Sequence, residues 1–453
     1  MTGRQEMIVR NAEKHKALVL TAERYIWQHP ETGFTEWNTN RYLTERFEAM
    51  GYTLTQAGDI PGFYTDIDTG LPGPTLAIMG EMDALDISGH PEAVNGMTHA
   101  CGHNAQSAAM LGVAAALKEE GALDGLCGKI RLLLVPAEEM IQLSFREELR
   151  KKGTLHYYGG KTEFMYRGFF DGVDLAIMVH GTGDREGKVY DFTCGPGNNG
   201  CIAKNFTYYG KASHAGGGPH RGINAEYAAL LGLQAVNNLR ETFIDGDHTR
   251  FHPIMHGVQT AVNIIPDEIH LESYVRGRTI EAIKRENKKI NRALAGAAVS
   301  MGARLRLEDR PGYFPEIHDR AFMELVEQCC RELAGDGRVS FDYDGWGTGS
   351  SDFGDLTAVM PGVQFNSCGS SGEAHGVSYY ITDPERMCMN SVKGQLFVAE
   401  ALLSNGAEKA KKIIADYRPL YPSIKAYFED IDKMYLSRDA VEYREDGSIV
   451  VNV

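Results

Sequence analysis

The chain has 453 residues, 43% hydrophobic and 24% charged. These are ordinary proportions for a globular protein of about two to four domains, which needs no disulfide staple to fold. Lys and Arg number 46 against 61 Asp and Glu, a net charge of −15, which argues against nucleic acid and anionic membrane surfaces as partners. No apolar run approaches the ~20 residues of a membrane span, and the opening MTGRQEMIVRNAEKHKALVL lacks the apolar stretch of an export signal. The eight Cys are therefore expected to be reduced thiols in a cytoplasmic protein.

Helical spacing of apolar residues predicts helices over 8–29 and 37–50. TLAIMG (75–80) reads as a buried strand. The Ala-rich segment 104–120 reads as a helix capped by Asn104. KIRLLLV (129–135) and DLAIMV (174–179) are further buried strands. This alternation indicates an α/β layer whose sites lie at the carboxyl ends of the strands. The pattern changes at CGPGNNG (194–200). Strand 202–210, helix 223–243, a strand pair at 260–266 and 268–275, helix 279–302 and strand 303–309 follow. That order is the split βαβ plan of a small ferredoxin-like α+β domain. The α/β pattern resumes with a helix near 319–334, a strand at 362–365 and a helix near 384–403. The expected organisation is a catalytic α/β domain over 1–196 and 310–453, with an inserted domain at 197–309. The tail after Asn405 reads as a helical decoration.

Metal-type ligands follow the predicted strands. They lie in GEMDAL (80–85), HACGHN (99–104), PAEE (136–139), VHGTGD (179–184) and GEAHG (372–376). Read singly, each has a plain explanation: packing for Cys101 and His103, a solvated pair for Glu138 and Glu139, a core histidine for His180, and a loop histidine for His375. Read jointly, they sit on neighbouring strand ends that a parallel sheet brings to one edge. Thiolate, imidazole and carboxylate together suit zinc, manganese, nickel or cobalt better than magnesium. A Cys-His nucleophile using Cys101 is also conceivable, but it leaves the tandem Glu without a purpose.

HACGHN, VPAEE, GKASHAGGGPHRGINA and AVNIIPDE in this order resemble the metal-dependent amidohydrolases of the aminoacylase and carboxypeptidase type. The nearest branch holds indole-acetyl-amino-acid, hippurate and p-aminobenzoyl-glutamate hydrolases. GSSDFGDLTAVMPGVQF (349–365) is most similar to the p-aminobenzoyl-glutamate and atypical-dipeptidase side. The resemblance runs from about residue 10 to about residue 405. It implies a divalent-metal pair held by Cys101, His103, Glu139, His180 and His375. It also implies Glu138 as general base, with Asp83 orienting a ligand. A ligand His of some relatives is replaced here by Glu81. His214, in a Gly-rich loop of the inserted domain, would polarise the scissile carbonyl of a partner subunit's substrate. Asn263 and Arg276 would contact the substrate, Arg276 through its carboxylate. The implied activity is hydrolysis of N-acyl or N-aroyl amino acids or unusual dipeptides by a homodimer. A vestigial metal-binding scaffold and a closed structural zinc site are the alternatives. Segment 140–170 is longer than a simple connection and has no assigned role.

Overall fold

A computed structural model describes residues 1–184, 187–257 and 261–453. The chain divides into two compact units. The first comprises 1–197, 317–347 and 355–422, and the second 198–316, 348–354 and 423–453. No helix among the described residues is long and apolar enough to cross a membrane.

The first unit is built on a nine-stranded sheet. Its centre runs Lys129–Val135, Thr75–Glu81, Leu175–Gly183, Gly362–Ser371, all parallel, as continuous apolar runs predict for strands covered on both faces. Phe63–Asp68 flanks this centre antiparallel to Lys129–Val135. Every residue of the helix His103–Leu117 is buried. Its small side chains let it pack closely against its neighbours: a Cβ on Gly112 would meet Val392 and Val19 at 2.6 and 2.7 Å. Two local expectations are corrected. The helix over 8–29 is two helices, Gly3–Lys14 and Lys16–Trp27, broken at His15. Gly102, with φ +86°, stands at the helix start in place of Asn104, because the turn out of HACG needs a left-handed residue. Asn104 lies inside the helix, and its Nδ2 donates to Glu23 Oε1 at 2.8 Å.

The second unit is the inserted domain. Strands run Ile254–Gly257, Glu268–Gly277, Gly200–Tyr209, Arg304–Pro311 in antiparallel order, with helices Ala225–Asn238 and Ile280–Met301 between them in sequence. This is the ferredoxin-like order. Phe206, Tyr208, Ile269, Leu271, Ala229 and Leu294 meet in its core. The strand expected at 260–266 lies instead at Ile254–Gly257. Residue 260 is outside the described residues, and 261–267 is irregular apart from one bridge between His214 and Ile264. The tail is also corrected. After the helix Ile424–Ile431 it forms strands Leu436–Tyr443 and Ile449–Val451, which extend the inserted domain's sheet beyond Arg304–Pro311. The open edge of that strand offers backbone hydrogen bonds that a surface helix could not use. Residues 423–453 therefore belong with the inserted unit.

Candidate metal centre

The four central strands end at one edge of the sheet and deliver the site. Glu81 ends the strand Thr75–Glu81, PAEE follows Lys129–Val135, His180 lies within Leu175–Gly183, and His375 follows Gly362–Ser371. Cys101 and His103 enter on the turn into the buried helix. Ligand atoms of Cys101, His103 and His180 lie within 4.8 Å of one another, as do those of Cys101, Glu139 and His375, and those of His103, Glu138 and Glu139. All five expected ligand residues and Glu138 thus come together.

The outer hydrogen bonds set which ring nitrogens face inward. His103 Nδ1 donates to the Asp83 carbonyl at 2.9 Å, and His180 Nδ1 to the Gly181 carbonyl at 2.7 Å. Their Nε2 atoms are left to face the cluster. His180 Nε2 and His375 Nε2 each lie 3.4 Å from Cys101 Sγ, and His375 Nε2 lies 3.0 Å from Glu139 Oε1. His103 Nε2 is fully buried and makes no hydrogen bond. The Asp83 carboxylate accepts from the backbone N–H groups of Glu138 and Glu139 at 3.1 and 2.8 Å. It therefore positions the tandem Glu as well as His103.

The electrostatics suit a cation. Burial and Glu139 push the Cys101 thiol up, but His180 and His103 outweigh them and bring it down to about 6. The hydrogen bonds to Cys101 and Glu139 hold the His375 proton up to about 11. A thiolate, a carboxylate and three imidazoles, one with an orphaned buried nitrogen, fit a divalent metal of the zinc type.

Two residues without a sequence signal complete the site, and both come from segment 140–170. Lys161 is fully buried and pairs its ammonium with Glu81 Oε1. Glu81 Oε2 accepts from Gln106 Nε2 at 2.7 Å and lies 3.3 Å from His103 Nε2. Burial pushes Glu81 up, but Lys161 and then His103 prevail and set it at about 2. Arg146, also buried, donates to the carbonyls of Glu139 and Tyr158 and approaches that of Ala137. It pins the turn in which Ala137 adopts φ +56°. Backbone strain of this kind persists where surrounding contacts over-determine it. Gly160 allows the approach: a Cβ there would lie 1.6 Å from the Pro136 carbonyl oxygen.

His214, Asn263 and Arg276 belong to the inserted unit. His214 Nδ1 accepts from the N–H groups of Gly216 and Gly217 at 3.2 and 2.8 Å, so the neutral ring carries its proton on Nε2, ready to donate. Ala215 N–H donates to the Asn263 carbonyl at 2.9 Å, which places His214 and Asn263 on adjoining, exposed loops. Arg276 is half-buried in the strand Glu268–Gly277, and its buried Nε has no hydrogen-bond partner within the described residues.

With this geometry in place, residues 77–393 match the model of Peptidase family M20/M25/M40. The chain belongs to that family. It is accordingly a metal-dependent hydrolase of the amidohydrolase and peptidase class. An indole-3-acetyl-aspartic acid hydrolase from Enterobacter agglomerans is 32% identical over 337 residues, 63% of this chain and 72% of that protein. A human Xaa-Arg dipeptidase is 28% identical over 395 residues, 83% of this chain and 81% of that protein. The crystal structure of a dinuclear metal-binding M20 peptidase from Bacillus subtilis shares the fold with a TM-score of 0.62 at 20% identity. It covers 85% of this chain and 98% of that one.

Proposed function

We propose that this M20 protein hydrolyses the amide bond of N-acyl or N-aroyl amino acids, p-aminobenzoyl-glutamate-like, or of unusual dipeptides. The observation that supports it most is the convergence of five ligand-type side chains with the carboxylate of Glu138 beside them. Held by Cys101, His103, Glu139, His180 and His375, a pair of divalent ions (zinc, manganese, cobalt or nickel) would supply a water of lowered pKa and polarise the amide carbonyl. Glu138 takes the proton of the attacking water and returns it to the departing nitrogen. Asp83 keeps the Glu138 backbone in place. His214 donates its Nε2 proton to the developing oxyanion. Asn263 and Arg276 hold the amino-acid end, the guanidinium forking onto its carboxylate. The names of both curated relatives denote an amino acid joined through its nitrogen to another group.

A hydrolysis screen of the metal-reconstituted protein tests this reading. It should include indole-3-acetyl-aspartate, p-aminobenzoyl-glutamate, N-acetyl amino acids and dipeptides. Turnover of one of these classes is expected, lost on chelation and restored by a divalent ion. Full activity in the metal-free protein would sink it. In the same screen, Arg276→Ala should weaken free-carboxylate substrates far more than their esters, by roughly ten- to a hundredfold for a lost charged hydrogen bond. Equal loss on both would leave Arg276 only a structural role.

A homodimer is part of the proposal. Tyr227, Leu230 and Leu231 stand exposed on the helix Ala225–Asn238, and every residue of the sheet-edge strand Ile254–Gly257 is exposed. An uncovered edge beside apolar side chains is the kind of surface a two-fold partner covers. With His214 serving the partner's centre, mixing His214→Ala with Glu138→Gln protein should restore activity toward about a quarter of wild type by random pairing. No recovery despite proven subunit exchange would confine His214 to its own chain. The eight free cysteines support a reducing, cytoplasmic location.

A further inference from the structure

The inserted unit holds a second site-like feature, a cleft of about 550 Å³ that contains none of the metal-type residues. Lys284, Lys288 and Arg292 line one wall, four residues apart on the helix Ile280–Met301 and so on one face. Lys433 and Arg438 line it from a second wall, the tail. Ile202, Met434 and Leu436 add apolar surface. The family match ends at residue 393, so the tail wall lies outside it.

Five cations converge here in a chain of net charge −15. Little on the protein neutralises them. Asp309, the acidic side chain of the cleft, is buried and already bound by Lys204, by Asn287 Nδ2 at 2.6 Å and by Asn291 Nδ2 at 3.4 Å. Lys284 and Lys433 share one carboxylate, Asp430, at 3.1 and 3.8 Å. Lys288, Arg292 and Arg438 have no acidic partner in the ion pairs of the described residues. Counting Asp309 against Lys204, and Asp430 and the terminal carboxylate of the lining residue Val453 against the five cations, a local charge of +3 remains. The excess reaches inward. Burial holds the Lys204 ammonium below its usual range against the pull of Asp309, and Arg438 pushes in the same direction. Asn287 Oδ1, also on the cleft, is buried without a hydrogen-bond partner.

Like charges at this spacing repel, and a multivalent anion held among them would relieve that repulsion. Guanidinium forks match phosphoryl oxygens two at a time, and the apolar surface asks for an organic group. We propose that this cleft binds an organic polyphosphate, its phosphoryl groups on Lys288, Arg292 and Arg438 and its organic part against Ile202, Met434 and Leu436.

The test is calorimetric titration of the full metal-loaded protein with magnesium-saturated ATP, and with adenosine for comparison. Saturable ATP binding is expected, weakening as salt is raised, with no binding of adenosine. Arg292→Glu combined with Arg438→Glu should weaken ATP by at least about tenfold, as expected for lost charge-assisted contacts. Hydrolase turnover and melting temperature should stay unchanged in that variant. Arg292→Lys with Arg438→Lys should retain most of the affinity, which separates lost charge from lost folding. Cys101→Ser should leave ATP binding intact. Absence of binding at millimolar ATP, equal binding of adenosine, or unchanged affinity in the charge-reversed variant would overturn the proposal. So would loss of binding in Cys101→Ser, which would move the phosphate to the metal centre.

Discussion

Glu138→Gln should lower turnover by ~10²–10⁴ while the fold and the metal content survive, the range for removing a positioned general acid–base group. The amide is nearly isosteric with the carboxylate, so it fills the same buried space, and the backbone N–H of residue 138 still donates to Asp83 Oδ1. What it lacks is a basic oxygen to take the proton of the attacking water and carry it to the leaving nitrogen. Both proton transfers fail together, so the loss should appear in kcat more than in KM. Elemental analysis of the purified variant should give the metal content of the wild type, and its melting temperature should be unchanged. Unaltered turnover would place the base elsewhere, with the neighbouring Glu139 as the next candidate. Reduced metal content would instead make Glu138 a ligand.

Lys161→Met is expected to destabilise the protein by ~3–5 kcal/mol, the usual consequence of removing one partner from a buried ion pair. Glu81 and Lys161 are both 0% exposed, so no water can replace the ammonium. The methionine stem would fill most of the vacated volume, which isolates the electrostatic effect from a cavity effect. Gln106 and His103 would then remain facing the Glu81 carboxylate, at 2.7 and 3.3 Å. Denaturant melts of Lys161→Met, Glu81→Gln and the double variant form the decisive cycle. The double variant should recover much of the loss, because a neutral amide in place of Glu81 no longer needs the ammonium. Additive losses in the cycle would mean that Lys161 stabilises by packing and not through Glu81.

Much of the catalytic unit was legible in the sequence. Its central strands are short continuous apolar runs bounded by Gly, Pro or charge, the signature of strands buried on both faces, and their limits agree with the structure to within a few residues apart from the longer last strand. Because parallel strands end at one edge, Glu138, Glu139, His180 and His375, at or past those ends, could be grouped with Cys101 and His103, at the start of the Ala-rich helix, before any coordinate was known. The inserted domain's helices were legible for a similar reason: their apolar positions recur at helical spacing, and Asn224 and Thr279 supply the caps.

The strand Ile254–Gly257 was not legible, because it lies exposed at a sheet edge and no buried face imposes alternation on it. The tail strands were missed for a different reason. Leu436–Tyr443 becomes a strand by pairing with Arg304–Pro311, more than a hundred residues earlier, and local charge and aromatic content carry no trace of that partner. The roles of Lys161 and Arg146 depend still more on the tertiary structure. A lysine and an arginine in a polar-looking segment have the sequence signature of a solvated surface. Only the folded chain puts Lys161 against Glu81, 80 positions away, and Arg146 beneath the carbonyl of Glu139. The sequence by itself therefore determined which residue types stand at the strand ends, since that follows from local periodicity. The tertiary structure decided which buried charges are compensated and by whom, because a charge becomes expensive only once the rest of the chain has removed its water.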